Sequence, residues 1–532
     1  MRMNERIRRA AVALFFALLT LVGLWTVDDY TGSYDETAEQ VILSSNMKEY
    51  ALGLEKLGIT WDVWLESDAV PISQSIEKDH GISGYYLYGL VFPQIKHNET
   101  LRYTLWSVVT WLWFMSGVWS LYAIARHMGM SRAIACTSAL LLYLSPRFFA
   151  DGHLNNKDVV LLCMMLVTLW QGARYLNKPG VLRGILFSLA GAAAMNTKIV
   201  AVIAWCLVMA AMVLKLTIEK SWNRKSMMIT AATVLAFAGF YLLLTPAMWQ
   251  EPLGFFPYLF SNAAAFSRWE GRLFFRGASF QIPENPLPVY YLAYMMLTTL
   301  PLYVFPLFAF GQIKAVLDAI RKPKAFLTST PGLLLACATG CWVASMGAFV
   351  LLRPLVYNGW RHFYFTYAGV AVLAGYGVKV MWDWCAVRKW MKQVCAAVLC
   401  LCFAATAAGM AINHPRQSSY YNVLSGSSLM ETDYWNTSGT YALERLMECE
   451  ERNAELPLEV GCYFFDIQNA RFKMTDEQKA VLTTTVKKDS PYLYYIENYV
   501  QVYDVKPPQG YHELFAVDSY GRRIGTMYEK DK

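Results

Sequence analysis

Long apolar runs, separated by short polar or charged stretches, dominate the first 413 residues of the chain. Eleven of these runs approach the roughly 20 mostly apolar residues that a membrane-spanning helix requires. They cover residues 9–27, 102–124, 133–150, 157–175, 182–196, 199–217, 228–249, 288–312, 331–352, 363–381 and 394–413. The pattern predicts a polytopic α-helical membrane protein with about eleven transmembrane helices. The first run is long and no clear small-residue cleavage site follows it, which favours a retained anchor over a signal peptide.

The charges between the runs predict the orientation of the chain. With the N-terminus inside, the cytoplasmic segments are 1–9, 125–132, 174–183, 215–227, 313–326 and 379–393. They contain 21 Lys and Arg residues and four acidic residues. Positively charged loops remain on the cytoplasmic side of a membrane, so the N-terminus is predicted to be cytoplasmic.

This orientation places the longer polar segments outside. Residues 1–413 are predicted to form a transmembrane domain, in which 28–101 is a first extracytoplasmic loop with juxtamembrane helices. Residues 414–532 combine helical and strand-like patterns, which predicts a small extracytoplasmic α+β domain. A disulfide between Cys449 and Cys462 is compatible with that location.

Composition agrees with a membrane protein and argues against a nucleic-acid partner. Hydrophobic residues make up 56% of the chain and charged residues 16%, which is too apolar for a soluble protein of 532 residues. The net charge of +7 is spread over short loops and forms no basic face. Orientation in the membrane explains it better than binding to DNA or RNA.

Two acidic residues follow the first span. Asp35 and Glu36 lie in a turn-rich stretch at the predicted outer face. A carboxylate there can accept a proton from an attacking hydroxyl or amine, or hold a divalent cation. A solvated loop after a helix end is the alternative interpretation.

A second polar stretch precedes the fourth span. It contains Asp151, His153 and Asn155, and it ends at Asp158. Asn is a favoured helix cap and Asp is favoured near a helix N-terminus, so a structural role is one interpretation. Ionisable residues at a membrane boundary are also often functional.

Cationic side chains gather at the same predicted face. Lys198 lies between two apolar runs, and Arg361 and His362 precede the tenth span. Arg268, Arg272 and Arg276 follow the seventh span. Arg binds two oxygens of a phosphate with its planar fork, and Lys binds phosphate as a point charge. Carboxylates and phosphate-binding groups at one face fit chemistry on a lipid phosphate.

The chain has no P-loop, no G-x-G-x-x-G after a strand, no paired C-x-x-C motif and no H-E-x-x-H motif. Nucleotide-driven chemistry is therefore unsupported. No cofactor is predicted, although the carboxylates are compatible with a divalent cation.

Taken together, three motifs resemble those of the GT-C membrane glycosyltransferases. They are the acidic pair after the first span, Lys157-Asp158 before the fourth, and Asn196-Thr197-Lys198. The likeness is to the family 39 type, which includes protein O-mannosyltransferases and lipid A aminoarabinose transferases. Residues 413–422 and Asp433-Tyr434-Trp435 also resemble bacterial members of this type.

The resemblance implies a glycosyltransferase of the bacterial inner membrane that uses a polyprenyl-phosphate-linked sugar as donor. It implies that Asp35 is the catalytic base, that Glu36 orients the acceptor or supports the base, and that Asp158 matches the second acidic position. Lys198 and the Arg361–His362 pair would hold the donor phosphate. Inversion at the anomeric carbon is also implied. Unlike in protein O-mannosyltransferases, Thr37-Ala38-Glu39-Gln40 follows the acidic pair, so a protein hydroxyl is only one option among the envelope acceptors.

Two other functions remain open from the sequence. A transporter or lipid flippase requires ionisable residues near mid-membrane, broken helices and related halves. A scaffold requires a C-terminal domain that binds envelope partners by itself.

Overall fold

Helices form most of the chain that the computed structural model describes, namely residues 5–30, 32–264, 270–357, 359–426, 430–449, 456–462, 467–486, 492–499 and 509–531. The helices before the first hairpin are α1 (Glu5–Trp25), α2 (Tyr34–Glu55), α3 (Asp62–Leu65), α4 (Tyr86–Ile95), α5 (Glu99–His127), α6 (Arg132–Tyr143), α7 (Pro146–Leu154), α8 (Asp158–Asn177), α9 (Val181–Thr197), α10 (Val202–Ile218), α11 (Arg224–Leu244) and α12 (Pro252–Ala264). Those after it are α13 (Tyr291–Thr299), α14 (Val304–Arg321), α15 (Pro323–Thr328), α16 (Thr330–Leu352), α17 (Thr366–Trp384), α18 (Lys389–Ile412), α19 (Thr437–Met447) and α20 (Asp476–Ala480).

Eight helices in the described part of the chain are long and apolar enough to cross a membrane, and two bent helix pairs raise this number to ten. Every predicted span coincides with one of these helices or pairs, except the span at 182–196. That span corresponds to α9, which is apolar but has 17 residues. The predicted class of polytopic α-helical membrane protein is confirmed, and the structure supports eight to ten of the eleven predicted spans.

Two predicted spans are broken by sharp bends. The axes of α6 and α7 differ by 67°, and those of α13 and α14 differ by 119°. Pro146 begins α7, and Pro301 follows the last residues of α13. Proline disfavours a helical conformation in the residue before it, which accounts for a helix end at each position. The first bend turns the polar residues of α7 into the interior of the helix bundle.

Within the ranges that the structure describes, the strands form two separate sheets. A hairpin pairs β1 (Gly271–Phe275) with β2 (Ala278–Ile282) in antiparallel register. The C-terminal region contains β3 (Leu458–Cys462), β4 (Leu482–Val486), β5 (Tyr494–Asn498), β6 (Tyr511–Ser519) and β7 (Arg522–Lys530). Their order in the sheet is β4-β3-β5-β7-β6, with β3 parallel to both of its neighbours and β7 antiparallel to both of its neighbours. The C-terminal region is therefore of the predicted α+β type.

The C-terminal region has a hydrophobic cluster of its own. Leu443 of α19 packs with Val460, Ile496 and Met527 of the sheet, and all four are buried. The much larger second cluster lies among the apolar helices and includes the first outer segment. The domain boundary at 413/414 and the Cys449–Cys462 disulfide stay predictions.

Candidate active site

The first turn of α2 positions the acidic pair. The Ser33 hydroxyl accepts a hydrogen bond from the backbone N–H of Glu36 at 3.3 Å, and Glu36 Oε2 accepts one from the backbone N–H of Ser33 at 3.3 Å. This reciprocal capping box turns the Glu36 side chain back toward the start of the helix. The Asp35 side chain is 29% exposed and contacts residues from distant parts of the chain instead.

A break between α7 and α8 places Asp158 at the start of α8. The Asn155 side chain accepts hydrogen bonds from the backbone N–H groups of Lys157 at 3.2 Å and Asp158 at 2.7 Å. These donors have no partner within the helix itself, so Asn155 acts as a cap. Asp158 forms an ion pair with Lys198, which directly follows α9. Two helix ends thus bring a carboxylate and an ammonium group together.

Arg361 connects this ion pair with the acidic residue on α2. It lies between α16 and α17, and its Nη1 forms an ion pair with Asp35 and lies 3.9 Å from Asp158 Oδ2. We refer to Asp35, Arg361, Asp158 and Lys198 as the charged row. Arg361 and Asp158 are buried in the middle of the row, whereas Asp35 and Lys198 at its two ends are partly exposed.

The charges of the row balance one another. Burial alone would lower the pKa of the Arg361 guanidinium, but Asp35 and other neighbours, including Asp158, raise this pKa well above its ordinary value. Buried charges are tolerated when they are paired, and here two cations face two carboxylates. A phosphate group that entered the row would find one Arg and one Lys able to donate hydrogen bonds to it.

Aromatic residues of the C-terminal region surround Arg361. The Tyr434 hydroxyl donates to Asp35 Oδ1 at 3.1 Å and accepts from Arg361 Nη2 at 3.3 Å. The guanidinium carbon lies 4.5 Å from the ring centre of Tyr434 and 5.4 Å from that of Trp435. These distances permit cation–π interactions. The C-terminal region therefore contributes directly to the candidate site.

Glu36 lies in a buried pocket behind the row. The Ser107 hydroxyl lies 3.5 Å from Glu36 Oε1, and Lys473 Nζ donates to the same hydroxyl oxygen at 2.9 Å. Burial raises the pKa of Glu36 to about 8, although the Lys473 charge lowers it in part. Ser33, Ser107 and Lys473 therefore surround the Glu36 side chain in the interior. The neighbouring side chain of Asp35, by contrast, is partly exposed and belongs to the charged row.

A small polar cavity lies on the other side of Arg361. Asp151, Glu431 and Trp435 line it together with Arg147. Trp435 Nε1 donates to Asp151 Oδ1 at 2.7 Å, and two backbone N–H groups donate to Glu431 at 3.0 and 3.3 Å. Burial raises the pKa of Glu431 to about 7. The cavity offers both carboxylates and guanidinium groups next to the charged row.

The structure brings four of the predicted site residues into direct contact, and these four form the charged row. Asp151 lies one contact away, because Asp151 and Arg361 line the same cavity. Asn155 touches the row through Asp158, which it caps.

The other predicted site residues are not members of the charged row. His153 is buried between the rings of Tyr30 and Trp111, at centroid distances of 4.3 and 4.5 Å. His362 packs edge-on against Tyr357 at 4.4 Å, and burial together with the Lys198 charge lowers its pKa well below the ordinary value. Arg272 is exposed on β1. Arg268 lies outside the described residues.

Sequence reasoning missed several residues of the site. Arg147, Glu431, Tyr434 and Trp435 were given no role, although Tyr434 touches both Asp35 and Arg361. Two signals were available. Arg147 is a lone charge within an apolar run, and residues 431–435 combine carboxylates with aromatic rings near the start of the predicted C-terminal domain.

Residues able to hold a divalent cation are not members of the charged row, although His80 lies within electrostatic range of His362. Among the described residues, Glu77, Asp79 and His80 have possible ligand atoms within 4.8 Å of one another. His80 Nδ1 lies 2.5 Å from Glu77 Oε2, so these two side chains already interact with each other. A role for a divalent cation stays a prediction.

Comparison with known proteins supports the resemblance. Residues 80–249 match the family model described as dolichyl-phosphate-mannose-protein mannosyltransferase. This segment includes Asp158 and Lys198 but ends before Arg361 and begins after Asp35. No curated protein sequence matches the chain.

Solved structures that are similar to the chain at low sequence identity include ArnT, AftD and EmbB. ArnT from Cupriavidus metallidurans, bound to undecaprenyl phosphate, has 14% identity and a TM-score of 0.43 over 97% of this chain and 98% of its own. The arabinofuranosyltransferase AftD from Mycobacteria has 11% identity and a TM-score of 0.42 over 100% of this chain and 40% of its own. The arabinosyltransferase EmbB from Mycobacterium smegmatis has 12% identity and a TM-score of 0.33 over 83% of this chain and 44% of its own.

The family-model match covers the polar loop before α8 and the end of α9, which are two of the three motifs that carried the sequence resemblance. The apolar helices agree with a multi-pass membrane protein of this kind. The chain thus resembles the GT-C membrane glycosyltransferases, as its motifs predict.

Proposed function

We propose that the chain is a glycosyltransferase that moves a sugar from a polyprenyl-phosphate donor to a cell-envelope acceptor. The transfer takes place at the extracytoplasmic face of the bacterial inner membrane, with inversion at the anomeric carbon. One observation carries the proposal: Arg361 contacts Asp35 and lies beside Asp158, which itself pairs with Lys198. A proton acceptor and two phosphate-binding cations are thereby gathered at helix ends.

In the proposed reaction, an acceptor hydroxyl or amine attacks the anomeric carbon while Asp35 takes its proton. A bond forms between the acceptor atom and that carbon, and the bond from the carbon to the phosphate oxygen breaks. The leaving polyprenyl phosphate gains negative charge, which Lys198 and Arg361 stabilise. The general base contributes about 10²–10⁴-fold to such a step.

The remaining residues hold these groups in place. Asp158 orients both Lys198 and Arg361, and Asn155 fixes Asp158 at the start of α8. Tyr434 holds Asp35 and Arg361 together. His362 lies within electrostatic range of Lys198 and Asp158 and adds a neutral imidazole to the donor side. Asp151 and the cavity it lines lie beside Arg361.

The location of the charges favours transfer over transport. Asp35 is in the first turn of α2, Asp158 begins α8, Lys198 follows α9 and Arg361 precedes α17. A transporter or flippase requires ionisable groups near the middle of its spans. The charged row lies at helix ends.

Asp35→Asn tests the proposal. The amide keeps the size of the side chain but cannot accept the proton, so we expect one lipid-linked sugar to accumulate and to disappear from one envelope glycan. Mass spectrometry of polyprenyl-phosphate sugars and envelope glycans measures both. Asp62→Asn, in the same outer segment and exposed, is the matched control with an unchanged profile. A normal glycan profile in the folded Asp35→Asn protein would falsify the assignment of the base.

A further inference from the structure

A second cleft lies on the opposite side of α2 from the charged row. It encloses about 670 Å³, within the range of small-molecule sites. Ser44 of α2 lines it and follows Asp35 by about two and a half helical turns. Because a half-integral number of turns separates the two residues, they lie on opposite faces of the helix. The cleft, here called the α2 groove, is therefore distinct from the candidate active site.

The lining of the α2 groove is amphipathic. Val41, Val63 and Val70 are apolar and 62%, 44% and 54% exposed. The Trp64 ring stacks on Phe92 at a centroid distance of 6.1 Å. An apolar surface of this kind is expected to contact another apolar molecule, because its exposure to water is unfavourable.

The same groove is lined by nitrogen donors. Gln40, Trp64 and Arg102 each have a buried side-chain N–H group without a hydrogen-bond partner among the described residues. Lys96 adds an exposed ammonium group. Leaving buried donors unpaired is unfavourable, so a ligand rich in acceptor oxygens would stabilise this arrangement. Asp68 is the one carboxylate among the lining residues that the structure describes.

The position of the groove indicates that its ligand comes from the membrane. Arg102 lies in the first turns of α5, which is one of the helices able to cross the bilayer. The short helix α4, which supplies Phe92 to the groove, presents Leu87, Leu90 and Val91 at 81%, 53% and 47% exposure. A short helix with an apolar face of this kind lies in the membrane interface. The groove therefore opens at the level of lipid headgroups.

We propose that the α2 groove binds the phosphodiester headgroup of a phospholipid. The phosphate oxygens accept hydrogen bonds from Arg102, Lys96 and the unpaired donors, and the apolar part of the lipid packs against Val41 and Val63. The bound lipid fixes the helix that carries Asp35 without entering the reaction.

Native mass spectrometry of the full-length purified protein tests this site. The probes are dioleoyl phosphatidylglycerol and dioleoylglycerol, which share their acyl chains and differ in the phosphate. We expect preferential binding of the phospholipid, and about tenfold weaker binding by Arg102→Met, because this change removes a charge-assisted hydrogen bond to the phosphate. Trp64→Phe keeps the stacked ring and removes its N–H group, so we expect a smaller, severalfold loss.

Arg224→Met is the matched control. Arg224 is exposed on the predicted cytoplasmic side, and its substitution should leave phospholipid binding unchanged. Lys96→Met provides a second variant, because Lys96 is exposed and its replacement does not disturb the core. Equal binding of the two probes would overturn the proposal, as would wild-type affinity in both Arg102→Met and Lys96→Met. Glycerol phosphate binding as tightly as the lipid would overturn the membrane origin of the ligand.

Discussion

Arg361 contacts carboxylates from two distant parts of the chain, and this gives its guanidinium group a role that an ammonium group cannot fill. Its Nη1 pairs with Asp35 and lies 3.9 Å from Asp158, while Nη2 donates to Tyr434. Lys is also cationic, but it is a single point charge without the planar fork of Arg. We therefore expect Arg361→Lys to fold and to lose transfer by about tenfold or more, since each charge-assisted hydrogen bond contributes about 1.5–3 kcal/mol.

Arg272→Lys is the comparison for Arg361→Lys in the same assay of lipid-linked sugars. Both residues were predicted from the sequence to bind the donor phosphate, but Arg272 is exposed on β1. The charged row predicts a much smaller effect at Arg272. An equal or larger loss in Arg272→Lys would move the donor phosphate to the hairpin.

Glu36 should make the stability of the protein depend on pH. Burial raises its pKa in the folded state to about 8 from an ordinary value of 4.5. The folded state then binds the proton more tightly than the unfolded state, so the free energy of unfolding falls as the pH rises from about 4.5 to about 8. Glu36→Gln removes this contribution. As the pH rises between these two values, we expect the melting temperature of the Glu36→Gln protein to fall less than that of the wild type.

Thermal unfolding of the detergent-purified protein measures the difference. Glu431 and Glu497 have pKa values raised by burial to about 7 and about 8, so they contribute with the same sign, and Glu36→Gln reduces the fall without abolishing it. Glu66→Gln, on an exposed residue, should retain the full fall. Identical pH dependence in the Glu36→Gln and wild-type proteins would contradict a neutral, buried Glu36.

At the scale of elements, hydrophobic runs predicted the helices well and their bends poorly. The run at 133–150 contains α6, a 67° bend and α7, because Pro146 starts a new helix inside an otherwise apolar stretch. A hydropathy value is averaged over the whole run, so it does not show that the helix axis changes direction within the run. The bend nevertheless matters for the site, since α7 carries Asp151 and leads to the cap of α8.

The charged row was predicted only as a set of candidates at one face. Arg361 and Tyr434 reach Asp35 across sequence separations of 326 and 399 residues. Local patterns show that a Lys or an Asp lies at a helix end, but they do not show which helix ends meet. His153 shows a second limit of local patterns: its position in a polar stretch suggested a supporting role in the site, and the pattern did not indicate that its ring packs between two aromatic rings.

The cap of α8 links an element boundary to the chemistry. Asn155→Ala removes the acceptor for two backbone N–H groups, and such a loss typically costs about 1 kcal/mol. Because Asp158 is one of the two capped residues, we expect transfer to fall together with stability. Asn98→Ala removes the equivalent cap of α5, where Asn98 Oδ1 accepts from Leu101 at 3.0 Å, but α5 begins away from the row.

Comparing these two variants separates positioning from general destabilisation. Thermal unfolding and glycan mass spectrometry are measured on both. Similar losses of stability with a loss of transfer only in Asn155→Ala would support the role of the cap. Asn155→Ser keeps an acceptor and should restore part of the transfer. Equal transfer in both alanine variants would show that the cap has no part in placing Asp158.

At the scale of the whole molecule, polar and aromatic contacts join the C-terminal region to the first outer segment and to the ends of the two spans that flank it. Phe472 stacks on Tyr103 with 4.3 Å between ring centres, and the Tyr30 hydroxyl donates to Gln417 at 2.8 Å. Lys473 Nζ donates to the backbone oxygen of Val27 at 2.9 Å. The larger hydrophobic cluster also contains Tyr421, Met430 and Trp435 of the C-terminal region, and Tyr434 packs against it, so apolar packing acts together with these contacts to bring Tyr434 to Asp35.

Gly32 lies at the centre of this contact and gives a test of it. A Cβ atom at Gly32 would lie 2.8 Å from Phe472 Cδ2 and 2.9 Å from Phe472 Cβ, so Gly32→Ala must displace Phe472. Overpacking of this kind costs about 1–3 kcal/mol. We expect faster hydrogen exchange in residues 467–486 and a loss of transfer, because Lys473 supports the pocket of Glu36 next to Asp35. Gly180→Ala, where a Cβ meets no atom within 4 Å, should change neither. Full transfer by Gly32→Ala despite faster exchange in 467–486 would mean that this contact does not hold the charged row together.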